Sequence, residues 1–145
     1  MDNVKINVVV ASDGKMPSYA HPGDAGMDLF SVEEAILAPM ERRLVSTGVR
    51  MEIPPGYEAQ IRPKSGLAVK HGISIVNTPG TIDAGYRGEV KVIMINLGTE
   101  PYPIKKGSKI AQMVINRVEM AEMTAVDVLE ESSRNEGGFG STGTK

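Results

Sequence analysis

Asp83 and Tyr86 lie three residues apart in a stretch that is rich in turn-forming residues. This stretch, residues 77–90, contains a Pro-Gly pair and a Gly-Tyr-Arg-Gly quartet, and both are typical of tight turns. A carboxylate can orient and deprotonate a water molecule, and a tyrosine ring can stack on a flat or puckered ligand. An isolated Asp-x-x-Tyr is more often a turn-capping aspartate beside a packed ring. Whether this pair has a chemical role therefore depends on the other motifs of the chain.

The segments that flank this stretch have the composition of β-strands. Residues 73–76 and 89–97 are β-branched and apolar. They predict a hairpin that carries Asp83 and Tyr86 near its bend.

Two further segments contain groups that bind phosphate. Lys64, Ser65 and Gly66 offer a cation, a hydroxyl and an unhindered backbone N–H in consecutive positions, and residues 67–70 can form one helical turn after them. Gln112, at the entry of a predicted strand, can donate to a phosphate or can be an ordinary solvated strand residue. Both interpretations of Gln112 are open at this point.

Asp28 stands in an otherwise apolar run, residues 25–31. A buried carboxylate needs a partner, which is either a structural one or a hydrated cation. The sequence leaves both open.

Residues 134–145 are too rich in glycine to build a core element. Most such tracts are frayed termini. This one contains an arginine, Arg134, which can fork onto a phosphate, and an aromatic, Phe139, which can lie over a base. Backbone N–H groups of the glycines can form a nest for phosphate oxygens. The tract is therefore also a candidate for a lid that orders on a ligand.

Composition limits the classes of function. The chain has 145 residues, enough for one domain, with a net charge of −2, which does not indicate a general nucleic-acid binder. It has no cysteine and two histidines, which excludes disulfides and thiolate catalysis and disfavours a zinc site. No apolar run approaches ~18 residues and the N-terminus lacks a signal-peptide pattern. We predict a cytoplasmic protein with no membrane contact.

Short apolar segments separated by glycine and proline favour an antiparallel sandwich or barrel. Residues 119–131 contain good helix formers at roughly helical spacing, but we favour an extended connector there. We expect a single domain over residues 1–133 and a flexible tail over 134–145 that closes over an active site. The remaining predicted strands are 5–10, 49–53, 57–62 and 109–118.

Together these segments resemble the homotrimeric dUTPase family, whose five motifs occur here in order. The resemblance implies an all-β fold, a jelly-roll-like β-barrel with at most one short helix. It also implies a homotrimer with active sites shared between subunits, and magnesium-dependent hydrolysis of dUTP to dUMP and pyrophosphate. This reaction would limit uracil incorporation into DNA and supply dUMP for thymidylate synthesis. The five motifs are residues 25–31, 63–68, 77–90, 107–114 and 134–143.

The resemblance also implies a role for individual residues. Asp83 matches the catalytic aspartate that activates the attacking water, and Tyr86 matches the residue that packs on deoxyribose and excludes a 2′-hydroxyl. Asp28 matches the acid that holds Mg²⁺ through water. Uracil would be read by Asn77, by the backbone of Thr81 and Ile82, and by the nearby Lys91. The phosphate contacts would be Lys64, Ser65, Gly66 and Gln112, and the closing tail would contribute Arg134, Phe139, Gly140, Ser141 and Thr142.

One departure concerns the phosphate site. The family usually has arginine where this chain has Lys64, and lysine keeps the charge but loses the bidentate geometry.

Two alternatives stand beside this interpretation. The dCTP deaminases resemble the same fold, but they carry a catalytic glutamate three residues before the asparagine of the strand after the hairpin. Here that position is Ile93, three residues before Asn96, and isoleucine cannot transfer protons. A nucleotide-sensing or structural jelly-roll protein that kept the pocket is the non-enzymatic alternative.

Overall fold

The chain forms eleven β-strands and one short helix in a computed structural model that describes residues 2–145. The all-β prediction is confirmed, as is a single helix after Lys64. The elements are β1 (Asn7–Val10), β2 (Ser18–Tyr19), β3 (Gly26–Phe30), β4 (Ala35–Leu37), β5 (Arg42–Glu52), β6 (Tyr57–Arg62), α1 (Ser65–His71), β7 (Ile73–Ile75), β8 (Gly80–Ile82), β9 (Glu89–Asn96), β10 (Tyr102–Ile104) and β11 (Lys109–Arg117).

The strands form two main antiparallel sheets that share one core. The four-stranded sheet has the order β1-β5-β9-β7 and the five-stranded sheet the order β2-β3-β11-β6-β8, while β10 and β4 form a separate pair. The two long strands, β5 and β9, alternate between buried and exposed positions as half-buried strands do. The inward residues of β5 and β9 pack with those of β3 and β11. This shared core includes Val45 of β5, Val92 and Met94 of β9, Leu29 of β3 and Met113 of β11.

A β-bulge interrupts the pairing of β5 with β9. Ser46 pairs with Lys91 and Val49 with Val90, so Thr47 and Gly48 are extra residues on β5. Gly48 has a φ of 71°, a conformation that glycine adopts without strain. The bulge lies opposite the beginning of β9, next to the segment that carries Asp83.

The structure corrects the predicted element list at several points. The apolar run around Asp28 is a strand, β3, and the turn-rich segment after β9 contains a strand, β10. Both were missed because short strands with glycine or proline lack a clear alternation of apolar and polar residues. The Pro-Pro-Gly segment at 54–56, between the predicted strands 49–53 and 57–62, connects β5 and β6, which belong to different sheets.

Residues 118–145 form neither helix nor strand. Residues 119–131 are not helical, as predicted, and their apolar side chains are exposed in the single chain. In the part of the chain that the structure describes, no helix has the length and apolarity needed to span a membrane.

Candidate active site

The predicted hairpin exists, but its bend is more elaborate than a turn. β7 and β9 pair antiparallel, with Ile73 opposite Asn96 and Ile75 opposite Met94. Between them the chain forms β8, which leaves this sheet and pairs with β6 of the other one. Asp83 follows β8 directly, so its position is fixed by strand pairing on one side.

Asp83 and Tyr86 are the ends of one tight turn. The Tyr86 N–H donates to the Asp83 carbonyl oxygen over 3.1 Å, which closes a four-residue turn. The Asp83 side chain is exposed, and its carboxylate accepts no hydrogen bond from any of residues 2–145. It is therefore not a turn cap, and it is free to hold a water molecule.

The Tyr86 ring lies against the backbone that leads into β9. Its hydroxyl donates to the Glu89 carbonyl oxygen over 2.8 Å. A Cβ atom on Gly88 would overlap that hydroxyl, so glycine at this position makes room for the ring. The turn is also held by Arg87, whose guanidinium donates to the Ala84 carbonyl over 2.7 Å.

These residues line an open cleft of about 520 Å³, which we call the hairpin cleft. A smaller cleft of about 60 Å³ adjoins it, contains Asn77, and shares Thr81, Ile82 and Lys91 with it. The predicted nucleoside contacts of the hairpin, Asn77, Thr81, Ile82, Tyr86 and Lys91, therefore lie together, whereas Phe139 of the tail is not among them. The hairpin cleft is lined by Leu44, Thr81, Ile82, Asp83, Tyr86, Glu89, Val90, Lys91 and Ile93.

Asp28 lies in a second group, which we call the lysine–aspartate cluster and which comprises Asp28, Lys64 and Lys109. Asp28 is only 5% exposed, and its two carboxylate oxygens pair with Lys64 (2.5 Å) and Lys109 (3.1 Å). Burial alone would raise the pKa of Asp28, but the hydrogen bonds and charges of the two lysines outweigh it and hold that pKa below its usual value. The structural partner that the sequence left open is thus a pair of lysines.

The other predicted phosphate contacts surround this cluster. Helix α1 begins at Ser65, and Ser65 and Gly66 are both exposed. Gln112 pairs across the sheet with Asp28, and its amide donates to the Pro63 carbonyl over 2.8 Å. Lys64, Ser65, Gly66 and Gln112 therefore lie next to one another and beside Asp28.

The hairpin cleft and the lysine–aspartate cluster lie at different positions along β6 in one chain. Ile82, which precedes Asp83, pairs with Ala59 in the middle of the strand, whereas Lys64 follows Arg62 at its end. Neither cleft is lined by Asp28, Lys64, Ser65, Gly66 or Gln112. The predicted site residues therefore do not share one cleft within the described chain.

The tail folds only on itself. Arg134 donates through Nε to the Gly137 carbonyl over 2.6 Å, and further turns close at Ser141 and Gly143. Phe139 is fully exposed. Arg134, Phe139, Gly140, Ser141 and Thr142 are thus available to a ligand, but within the described residues they do not reach either group above.

Sequence reasoning missed five residues at these sites: Lys109, Leu44, Glu89, Val90 and Ile93. Lys109 lies within a predicted motif, but only the pairing of β11 with β3 reveals its contact with Asp28. Leu44 and Glu89 line the hairpin cleft through the pairing of β5 with β9. A lone leucine or glutamate in a strand carries no signal that could have identified it.

The chain is similar to many dUTPases. The dUTPase family model matches residues 12–143. The deoxyuridine 5′-triphosphate nucleotidohydrolase of Clostridium kluyveri is 60% identical over 129 residues, which cover 89% of this chain and 90% of that protein. Its counterpart from Alkaliphilus metalliredigens is 53% identical over 145 residues, with 100% of both chains covered.

Solved structures give the same result. A mutant dUTPase of Staphylococcus bacteriophage 80alpha with dUpNHpp superposes with a TM-score of 0.89 at 30% identity, covering 97% of this chain and 99% of that one. A mutant dUTPase from phage phi11 of S. aureus, described as coordinating a structural Mg(II) ion, has a TM-score of 0.81 at 28% identity, covering 88% and 99%. The chain belongs to the dUTPase family.

Proposed function

We propose that this dUTP diphosphatase attacks the α-phosphorus of dUTP with a water molecule held by Asp83, releasing dUMP and pyrophosphate. The observation that carries this is the exposed Asp83 carboxylate, unpaired within residues 2–145, in the same cleft as Tyr86. A carboxylate without other hydrogen bonds can accept the proton of the water as it attacks. The bond that breaks joins the α-phosphorus to the bridging oxygen, and pyrophosphate leaves with that oxygen.

Uracil recognition is assigned to β8 and its neighbours. β8 is the edge strand of its sheet, with β6 as its neighbour in the described chain, so alternate backbone groups of Thr81 and Ile82 are free to bind a ligand. Fixed backbone groups suited to the carbonyl acceptor of uracil would face the amino donor of cytosine and go unpaired. Asn77 and Lys91 stand beside this edge.

Sugar selection is assigned to Tyr86. The ring lines the cleft and is half-exposed. Held against β9 by its hydroxyl, it can pack on a deoxyribose and leave no room for a 2′-oxygen.

The triphosphate is assigned to the neighbourhood of the lysine–aspartate cluster. Lys64, Ser65, Gly66 and Gln112 offer one positive charge and several donors there. The two lysines and the single carboxylate of Asp28 leave this cluster with a net charge of +1, which makes the region a favourable place for phosphate oxygens.

Magnesium fits this donor set only as an ion held largely by the substrate. Among residues 2–145 there is no group of three acidic or histidine side chains that would form a cage. Mg²⁺ prefers oxygen ligands and keeps several waters, so phosphate oxygens suit it. Asp28 would hold the ion through water only in competition with Lys64 and Lys109, which occupy both of its carboxylate oxygens. A bound Mg²⁺ would neutralise negative charge on the triphosphate.

A homotrimer with shared sites explains why the predicted residues are separated in one chain. No residue of the lysine–aspartate cluster lines either cleft, and within residues 2–145 the tail reaches neither the cluster nor the clefts. The connector also exposes a run of apolar side chains that would pack on a neighbouring subunit. We assign the phosphate residues, the Asp83 hairpin and the tail of each site to three different chains. The exposed apolar residues are Met120, Met123, Val126, Val128 and Leu129. A cytoplasmic location stays a prediction.

Hydrolysis in ¹⁸O-labelled water tests the position of attack. Attack at the α-phosphorus places the label in dUMP, whereas attack at the β-phosphorus places it in pyrophosphate. We expect mass spectrometry to find the label in dUMP, and phosphorus-31 NMR to identify pyrophosphate as the other product. Label in pyrophosphate, or orthophosphate with dUDP, would contradict the proposed geometry, and binding of dUTP without turnover would favour a sensor.

A further inference from the structure

Among residues 2–145, the Tyr86 side chain makes one hydrogen bond, and its acceptor lies outside the Asp83–Tyr86 turn. Residues 83–88 form no strand, so the first residue fixed by sheet pairing after the turn is Glu89, opposite Arg50. The carbonyl oxygen of Glu89 accepts the Tyr86 hydroxyl over 2.8 Å. The orientation of the ring therefore depends on where the backbone of Glu89 lies.

Glu89 is itself anchored by its side chain to the bulge in β5. Its carboxylate accepts the Gly48 N–H over 3.0 Å, a backbone group that the bulge leaves without a strand partner. The buried Thr47 hydroxyl makes a parallel contact one residue further on, donating to the Val90 carbonyl. The bulge thus fastens the first two residues of β9.

We infer that Glu89 is a positioning residue for sugar selection: through the Gly48 N–H it fixes the carbonyl oxygen that holds the Tyr86 ring. This inference rests on the proposed role of Tyr86 in excluding a 2′-hydroxyl. Glu89 does not contact the sugar in this scheme. It keeps the ring against β9 and in contact with Gly88, where the ring leaves space for a deoxyribose but not for a 2′-hydroxyl.

Loss of the Glu89 carboxylate would have two local consequences. The Gly48 N–H would lose its acceptor, and the beginning of β9 would be free to shift away from the bulge. The ring would then be less constrained and would yield to a 2′-oxygen. Selectivity for dUTP over UTP should fall, while the Asp83 carboxylate keeps its place at the end of β8.

The experiment compares Glu89→Ala with Glu89→Gln in the full-length enzyme. Glutamine keeps an oxygen that can accept the Gly48 N–H but has no charge. We expect Glu89→Ala to lower the ratio of kcat/KM for dUTP to that for UTP by about fivefold, the effect of one hydrogen bond. Glu89→Gln should restore most of the ratio. If glutamine behaves like alanine, charge and not positioning is responsible, and the inference is wrong.

Glu41→Ala is the matched control. The Glu41 carboxylate also accepts a backbone N–H, that of Ala38, over 2.8 Å, but it lies outside the hairpin cleft. A general loss of stability would lower the melting temperature in both alanine variants. Only Glu89→Ala should change the sugar ratio. An equal change in both would reduce Glu89 to a structural role and overturn the inference.

A double-mutant cycle with Tyr86→Phe tests whether the two residues act together. Tyr86→Phe keeps the ring and removes the hydroxyl, so by itself it should lower the ratio of kcat/KM for dUTP to that for UTP. The double variant Tyr86→Phe/Glu89→Ala should lower this ratio little further, because both changes disrupt the same path from the Gly48 N–H through Glu89 to the Tyr86 hydroxyl. Additive effects would contradict the connection.

Tyr86→Ala separates failure of this inference from failure of the proposed role of Tyr86. If Tyr86→Ala leaves the ratio unchanged, the ring does not select the sugar and the proposed role is wrong. If Tyr86→Ala narrows the ratio while Glu89→Ala does not, the ring selects the sugar without help from Glu89.

Discussion

Gln112 lies directly over the Cα atom of Gly26, and its side-chain oxygen occupies the space that a Cβ at position 26 would take. The two residues are on adjacent strands, where Gly26 pairs with Val114 and Gln112 pairs with Asp28. The missing side chain at Gly26 leaves Gln112 free to reach the Pro63 carbonyl. Position 26 therefore determines where a predicted phosphate contact points.

Gly26→Ala should weaken dUTP binding without any change to a ligand-contacting residue. The new methyl group would displace the Gln112 amide from the phosphate region, so we expect KM to rise about fivefold. Gln112→Ala should have a similar effect, and the two changes together should be less than additive. Steady-state kinetics of the three variants measures this. Fully additive effects would mean that Gly26 acts independently of Gln112.

Asp83→Asn should remove most of the activity while leaving binding largely intact. Asparagine can hold a water molecule but cannot take its proton, so kcat should fall by at least ~10². Affinity for a non-hydrolysable dUTP analogue should stay within about tenfold, because the rest of the hairpin cleft is unchanged. Turnover near the wild-type rate would show that Asp83 does not activate the attacking water.

Asp28→Asn should destabilise the protein at neutral pH and have less effect in acid. Lys64 and Lys109 lower the pKa of Asp28 from its reference value of 3.8, so the unfolded state binds its proton more readily than the folded state. The stabilisation is therefore complete above that reference value and is lost as the pH falls through the lowered one. We expect a difference in free energy of unfolding of about 2 kcal/mol at pH 7.

Urea unfolding from pH 3 to 8, at one protein concentration, measures the effect of Asp28→Asn. The difference between the wild type and the variant should be constant above about pH 5 and should shrink below about pH 4. Lys109→Gln is the control, since it removes one of the two partners and should give a smaller difference. A difference that grows in acid would mean that the pKa of Asp28 is raised.

The sequence predicted the flanking strands and the bend of the hairpin better than its topology. Strong β-branched runs identified β7 and β9, and turn residues placed Asp83 and Tyr86 at a bend. It did not predict that β8 would cross to the other sheet, because a three-residue strand has no periodicity to detect. Likewise, the contact between Lys109 and Asp28 depends on long-range pairing, which local composition does not encode.

In the connector, residues 119–131, local composition alone gives the wrong secondary structure. Its composition is favourable for a helix, but residues 119–131 are exposed and non-helical. Intrinsic helix preference is weak without an apolar surface to pack on, and here tertiary context decides.

Two inactive variants should restore activity when they are refolded together. In the proposed shared-site homotrimer, chains carrying Asp83→Asn lack a working hairpin and chains lacking residues 134–145 lack a tail, so all the sites of either variant alone should be defective. In a mixed trimer a site can take its hairpin from a truncated chain and its tail from an Asp83→Asn chain. With equal amounts and random assembly, about a quarter of the sites would be intact. Recovered activity should approach that fraction of the refolded wild type.

The control is a mixture of Asp83→Asn chains with chains that carry both Asp83→Asn and the truncation. No chain in that mixture has an intact hairpin, so activity should stay at background although the same mixed trimers form. Native mass spectrometry confirms the mixing, because the truncated chains are lighter. Mixed trimers without recovery would place hairpin and tail of each site in the same chain. A monomeric mass for the wild type in dilute solution would exclude shared sites, since the hairpin cleft and the tail would then have no neighbouring subunit to complete them.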